Sequence, residues 1–137
     1  MQAHLPESFS LVKVPQHDDV RGCLCVAEWE HLPFTPKRVF WIFGVPEGAQ
    51  RGGHSHATCA EVVFPVSGSF DMTADDGTGR HTFHMDRPDT GIYIGPNVWC
   101  ELSGFAPGTI CVVVASEDYD PEGYVNDYEE FCQRQKR

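Results

Sequence analysis

Short runs of apolar residues alternate along the chain with clusters of glycine, proline and aspartate. Turn signals recur about every 8–12 residues, which is the spacing of an all-β sandwich or barrel. The segment Asp75–Gly77 is the clearest hairpin turn, because glycine adopts positive φ at little cost. The pattern therefore predicts an all-β protein, a small jelly-roll barrel whose mouth is lined by inward-facing side chains.

Two apolar runs are the strongest strand signals. Residues 38–45 (RVFWIFGV) are apolar at every position after Arg38 until Gly44, so we expect a strand buried on both faces. Residues 109–116 (TICVVVAS) have the same character. Near the N-terminus, the pattern predicts strands at 10–14 and 23–29, separated by a polar turn at 17–22.

The last twenty residues have a different pattern. Pro121 follows Asp120, as at the first position of many helices. Tyr124, Tyr128 and Phe131 then recur at helical spacing. We expect one short C-terminal helix that packs on the outside of the barrel.

Composition narrows the functional classes. The 137 residues carry a formal net charge of −10, which argues against nucleic acid or an anionic membrane surface as the main partner. No apolar run approaches the ~18 residues of a membrane span, and the first residues do not resemble a secretory signal. The six cysteines match no zinc or redox spacing. We expect one domain over residues 1–137, cytoplasmic, with free and mainly buried thiols.

The most informative stretch lies in the middle of the chain, where His54 and His56 stand one residue apart and Glu61 follows. Side chains at i and i+2 of a strand share a face, with Cα atoms about 6.5–7 Å apart. The two imidazoles can therefore act on one small molecule as base and proton shuttle. With Glu61 they can equally form the two-histidine, one-carboxylate face of a metal site. The residues alone leave both interpretations open.

The spacing of this stretch resembles the first cupin motif, G-x5-H-x-H-x4-E-x6-G, from Gly48 to Gly68. The second cupin motif is only partly present: residues 91–96 (GIYIGP) keep its glycine and proline. Trp99 and Cys100 occupy the region where that motif has a histidine. The chain thus resembles a cupin that lacks one metal ligand.

A closer resemblance, to the sugar 3,4-ketoisomerase (WxcM-like) cupins, covers nearly the whole chain. It is carried by these blocks: Asp19–Leu24, Arg38–Phe43, Arg51–His56, Ser67–Ser69, Asp75–Gly77, Gly91–Pro96, Ala115–Asp120 and Asp127–Phe131. The resemblance implies a cupin jelly-roll and no required metal or other cofactor. It further implies a homodimer that exchanges N-terminal strands, and transfer of the keto group of a dTDP-4-keto-6-deoxyhexose from C4 to C3.

Roles for individual residues follow from the same resemblance. His54 is expected to be the base for the carbon proton, and His56 the shuttle or orienting partner. Four residues are expected to bind substrate, with Arg51 meeting the diphosphate and two aromatic residues lining the sugar or thymine pocket: Arg51, Glu61, Tyr93 and Trp99.

The chain departs from the family pattern at two positions. Phe40 stands where the family usually has a tyrosine, and Cys100 stands where it has an arginine. Three functions remain open: an active ketoisomerase, a metal-dependent cupin using His54, His56 and Glu61, and a nucleotide-sugar binder without catalysis.

Overall fold

Twelve β-strands and one α-helix form the structured part of residues 8–136, the range that this computed structural model describes. In chain order the elements are β1 Phe9–Lys13, β2 Gln16–Asp19, β3 Gly22–Cys25, β4 Arg38–Phe43, β5 Arg51–His56, β6 Glu61–Ser67, β7 Phe70–Asp75, β8 Arg80–Met85, β9 Thr90–Ile94, β10 Trp99–Ser103, β11 Ile110–Ala115, β12 Tyr124–Val125 and α1 Tyr128–Gln135. This confirms the predicted all-β class with one short C-terminal helix. Within the described range, no helix has the length and apolar character needed to cross a membrane.

Two five-stranded antiparallel sheets make the body of the fold. One has the order β1-β9-β6-β11-β4 and the other the order β12-β5-β10-β7-β8. Their facing side chains form the main core, as in a sandwich whose strands alternate inward and outward. The buried members are Val63, Phe70, Met72, Ala74, Met85, Ile92, Ile94, Val98, Cys100, Leu102, Cys111 and Val113.

Strand β4 is not buried on both faces, so that prediction was wrong. Phe40 and Ile42 pack on the core, whereas Val39, Trp41 and Phe43 are 55%, 60% and 66% exposed. The cause is the alternation of side chains along β4, the last strand of its sheet, since the outward-facing side chains are only partly covered by the described residues. Its apolar run therefore leaves an exposed hydrophobic stripe.

The N-terminal region also differs from the prediction. Instead of a turn at 17–22 and a strand at 23–29, β2 and β3 form a hairpin that is a separate two-stranded sheet. All eight hairpin strand residues are exposed. Cys23 and Cys25 are therefore exposed, contrary to the expectation of mainly buried thiols. The expectation holds for Cys59, Cys100 and Cys111, and all six cysteines are free.

The C-terminal helix begins at Tyr128 rather than near Pro121. Pro121 opens a single 3₁₀ turn, after which β12 pairs with β5. Asp127 then caps α1, since its side chain accepts a hydrogen bond from the Glu129 amide. The tail is fixed by packing of Phe131 with Val125 and Trp99 on the second sheet. It thereby covers that sheet and places β12 beside the histidine strand.

Candidate active site

A cavity of about 220 Å³ lies between the two sheets. Its wall is mainly apolar, with a small set of polar groups at the strands β5, β6 and β12. The lining residues are Phe40, Ile42, Arg51, Gly52, His54, Glu61, Val63, Met72, Cys100, Leu102, Val113 and Tyr124. A concave, mostly apolar site with a few convergent polar groups is the usual form of a ligand pocket.

A β-bulge in β5 brings Arg51 and His54 to the same cavity. The register of β5 against β10 shifts by one residue, with His54 opposite Cys100 but Gly52 opposite Glu101. In a regular strand, side chains three residues apart, such as those of Arg51 and His54, point to opposite faces. The extra residue of the bulge shifts the alternation by one, so that both side chains reach the same face. Gly52 and Gly53 both have positive φ. A Cβ at Gly52 would lie 2.9 Å from the Cys100 carbonyl oxygen. The glycine pair is therefore required by the bulge.

His54 and His56 lie on the same face of β5, as predicted, and their ring centroids are 4.8 Å apart. His54 lines the cavity. His56 is only 4% exposed and lies behind His54. Its Nε2 atom is buried without a hydrogen-bond partner among the described residues. The pair thus forms a short polar path from the cavity wall into the barrel.

Glu61 meets the inner end of this path. Its Oε2 is 3.5 Å from His56 Nε2 and 4.0 Å from an Arg38 Nη2 atom. Burial raises the pKa of Glu61 to about 7, although the Arg38 charge opposes the shift. Burial, with the neighbouring His54 and Arg38, lowers the pKa of His56 to about 4. Between these values both partners are uncharged, so their contact is not a salt bridge.

The pKa of His54 is also lowered, first by burial and then by the positive charge of Arg51. Both imidazoles are therefore neutral at pH 7 and can accept a proton. Arg51 is exposed at the mouth of the cavity. Its guanidinium is the cation best placed to meet an anionic group that remains outside.

The structure does not bring Tyr93 or Trp99 to this cavity. On β9, Ile92 and Ile94 face the core, so alternation turns Tyr93 to the outer face, where it packs against Val14, Ala60, Val62 and Phe64. On β10, Cys100 faces the cavity and Trp99 faces outward. The indole of Trp99 packs on Phe131 and donates a hydrogen bond to Glu101. Both aromatic residues are core residues outside the cavity wall.

Sequence reasoning missed two residues of the site. Tyr124 lines the cavity, and its ring lies 4.9 Å from His54 and 4.4 Å from His56. The helical spacing of the tail concealed it, and no local signal marked it. Arg38, which stands in a block that carries the family resemblance, places its guanidinium 5.2 Å from the ring centroid of Phe40. Its position before an apolar strand was the available signal.

The geometry also fits a metal ion. One ligand atom from each of His54, His56 and Glu61 lies within 4.8 Å of the others. Two neutral imidazoles and a carboxylate suit iron, manganese or zinc. Arg38 near Glu61 would compete electrostatically with such an ion. Burial raises the pKa of the Cys100 thiol, which disfavours a thiolate ligand there.

Comparisons with known proteins agree with this architecture. A curated TDP-4-oxo-6-deoxy-alpha-D-glucose-3,4-oxoisomerase from Aneurinibacillus thermoaerophilus is 35% identical over 114 residues, which are 82% of each chain. A solved mutant of the 3,4-ketoisomerase QdtA from Thermoanaerobacterium thermosaccharolyticum, in complex with TDP-4-keto-6-deoxyglucose, is 30% identical. It superposes with a TM-score of 0.91 over 96% of both chains.

The WlaRB TDP-quinovose 3,4-ketoisomerase from Campylobacter jejuni is 34% identical, with a TM-score of 0.88 over 93% of this chain and 99% of that one. These structures confirm the predicted cupin jelly-roll. Residues 7–136 match the model of the family described as FdtA: WxcM-like, C-terminal. The chain belongs to that family.

Proposed function

We propose that this protein is an isomerase that moves the keto group of a dTDP-4-keto-6-deoxyhexose from C4 to C3, in deoxysugar biosynthesis. The observation that carries the proposal is a neutral imidazole, His54, in the wall of a mainly apolar cavity, with a second neutral imidazole behind it. The curated relative, a 3,4-oxoisomerase, supports the same chemistry.

The reaction needs two proton movements. His54 removes the proton from C3, and the electron pair of that bond forms the C3–C4 double bond of an enediol. The proton is then returned to C4. In the same reaction O3 loses its hydroxyl proton and becomes the new carbonyl oxygen, while O4 gains a proton and becomes a hydroxyl. A base with a pKa below its ordinary value is unprotonated at pH 7, which suits His54 for the first step. His56 shuttles the hydroxyl proton.

The size of the cavity assigns the parts of the substrate. At about 220 Å³ it lies below the range of about 300–1,000 Å³ usual for drug-sized ligands. It accommodates the sugar ring, with the nucleotide left outside. The diphosphate then meets Arg51 at the mouth, where a guanidinium can bind two phosphate oxygens at once. Glu61 lines the inner side of the sugar pocket.

Deuterium exchange tests the proposal directly. The protein is incubated with dTDP-4-keto-6-deoxyglucose in deuterated water. NMR follows deuterium at C3 of the recovered 4-keto sugar and the appearance of the 3-keto isomer, which carries its deuterium at C4. We expect both for the parent protein and neither for His54→Asn. Thermal stabilisation by dTDP is measured on both proteins, since a ligand at 100 times its Kd adds roughly 2.7 kcal/mol. Binding of dTDP without exchange in the parent would identify a binder without catalysis.

A metal-dependent activity is the second candidate, because His54, His56 and Glu61 bring three ligand atoms together. These residues would hold the ion, which would act as a Lewis acid on a bound carbonyl. Elemental analysis of the purified protein decides the matter. Less than about one tenth of an equivalent of iron, manganese, nickel or zinc rules it out, since a resident metal is bound tightly.

We also propose that the protein acts as a homodimer. Val39, Trp41 and Phe43 form an exposed apolar stripe on edge strand β4. An isolated two-stranded hairpin is only marginally stable in water, so β2–β3 is expected to lie against a second copy. Exchange of the N-terminal strands is one form of this contact, although β1 pairs with β9 of its own chain in this structure.

Light scattering coupled to gel filtration measures the mass of the assembly. We expect twice the chain mass for the parent and a monomer for Trp41→Glu, with Glu30→Gln as a surface control. A parent that stays monomeric at high concentration would contradict the dimer. Action in the cytoplasm is part of the proposal, supported by six free thiols.

A further inference from the structure

Tyr124 occupies a position that the proposed mechanism has not used. It lies on β12, which is held against the histidine strand by the pairing of Tyr124 with His56 and of Val125 with Ser55. Its ring contacts both imidazoles edge-on or tilted, and its side chain lines the cavity. A phenol is thereby placed at the wall where His54 would meet the substrate.

The surroundings of the phenol leave its proton free for a ligand. The Arg38 guanidinium approaches the phenol oxygen of Tyr124. Arginine carries donors only, so Arg38 approaches this oxygen as a donor. The hydroxyl proton is then available for an acceptor in the cavity. Phe40, whose ring contacts the same guanidinium, offers no donor.

The isomerisation creates an acceptor that needs such a donor. When the C3 proton leaves to His54, the C–H electron pair becomes the C3–C4 double bond and the carbonyl π pair moves onto O4. The enediolate oxygen carries the negative charge until it is protonated. In a mainly apolar cavity, a fixed hydrogen-bond donor aimed at that oxygen lowers the barrier substantially.

We propose that the Tyr124 hydroxyl donates this hydrogen bond, so that Tyr124 is a further catalytic residue of the ketoisomerase reaction; this inference rests on the proposed function. Tyr124 keeps its own proton throughout, and His54 and His56 carry the protons that are transferred. Arg38 is a positioning residue, because its guanidinium approaches the phenol oxygen.

Other donors at the wall fit this role less well. Arg51 lies at the exposed mouth and is assigned to the diphosphate. The Cys100 thiol is a weak donor. Glu61 lies nearest to His56 and Arg38, with Oε2 3.5 Å from His56 Nε2 and 4.0 Å from Arg38 Nη2, and its carboxylate form has no proton to donate. Tyr124 alone among the described cavity residues combines an uncharged hydroxyl with contact to both histidines.

The test is Tyr124→Phe, which keeps the ring and its packing and removes only the hydroxyl. Loss of one donor to a developing oxyanion lowers kcat by about 10²–10³-fold. We expect that loss, with KM within about threefold of the parent because the bond forms mainly in the transition state. Deuterium incorporation at C3 should fall in parallel, and the thermal shift with dTDP should be unchanged.

Tyr119→Phe is the matched control. Tyr119 lies beside Tyr124, with ring centroids 5.8 Å apart, but is 64% exposed. We expect its kcat to stay within about twofold of the parent, as for a surface change. A second variant, Phe40→Tyr in the Tyr124→Phe background, restores a hydroxyl beside Arg38. Recovery of kcat by about tenfold or more would support a hydroxyl-specific role.

Three results overturn the inference: kcat of Tyr124→Phe within about threefold of the parent, an equal loss in Tyr119→Phe, or loss of dTDP binding in Tyr124→Phe. Activity of the parent is measured first. If the parent neither isomerises the sugar nor exchanges the C3 proton, the proposed function fails. If the parent is active and Tyr124→Phe equals it, only the role of Tyr124 fails.

Discussion

Tyr124 and His56 face each other across the antiparallel pairing of β12 and β5, and their ring centroids are 4.4 Å apart. This contact makes the C-terminal tail part of the site. The tail in turn depends on Phe131, which is 1% exposed and packs with Val125 and Trp99. Stability of α1 and geometry at the histidines are therefore linked.

Phe131→Ala tests that link. Truncating a buried phenylalanine usually costs about 3–5 kcal/mol. We expect a fall of that order in the free energy of unfolding, measured by urea titration. Activity should fall at temperatures well below the midpoint, because β12 loses its support. Arg134→Ala, on the exposed face of the same helix, removes only an ion pair with Glu130 and should cost less than about 0.5 kcal/mol. Equal effects of the two variants would disprove the link.

The bulge in β5 gives a second prediction. Gly52 has φ of +79° and Gly48 has φ of +80°, but only at Gly52 does an added Cβ meet backbone, 2.9 Å from the Cys100 carbonyl. Gly48→Ala should cost about 1–2 kcal/mol through left-handed backbone strain alone. Gly52→Ala should cost more and should also lower kcat, since the strand must move away from β10. Thermal unfolding and kcat of both variants check this, and similar losses would contradict the crowding argument.

The pH profile of the reaction gives a third prediction. Burial and the Arg51 charge lower the pKa of His54. The acid limb of log kcat/KM should therefore lie below the ordinary histidine pKa of about 6.5. Arg51→Gln removes a charge that disfavours imidazolium, so the acid limb should move to higher pH. KM should rise in the same variant as the diphosphate loses its cation. An acid limb that does not move would show that Arg51 does not act on the base.

Glu61 gives a prediction on stability. Its pKa is raised from 4.5 to about 7 in the folded state. The protonated Glu61 side chain therefore makes its full contribution to the free energy of unfolding below pH 4.5. That contribution is lost as pH rises through about 7, because the buried carboxyl then ionises. Glu61→Gln removes this loss.

Relative to the parent, the variant should gain little at pH 5 and more at pH 8, up to about 3 kcal/mol at 1.36 kcal/mol per pKa unit. Urea titrations at both pH values measure the difference. A variant equally or less stabilised at pH 8 would mean that Arg38 compensates the ionised carboxylate fully.

Much of the fold was readable from the sequence because strand alternation and turn residues are local signals. The strand predicted at 109–116 is present as β11, and the chain turns at 75–77 between β7 and β8, where the pattern placed a hairpin turn. The sequence did not show to the same degree whether an aromatic side chain points into the core or to the outer face of its strand. Tyr93 follows the alternation of β9, but only the packing of the sheets shows which face of β9 is inside.

The sequence by itself determined the all-β class, the family, and the same-face placement of His54 and His56, since these depend on period-two geometry and motif spacing. Tertiary structure decided the rest. It turned Trp99 away from the cavity, brought Tyr124 into it from the tail, and exposed β4 at a sheet edge. It also set the charge states of the site, because burial and the approach of Arg38 arise only when distant strands meet. Backbone periodicity is local, whereas desolvation and sheet position are properties of the assembled fold.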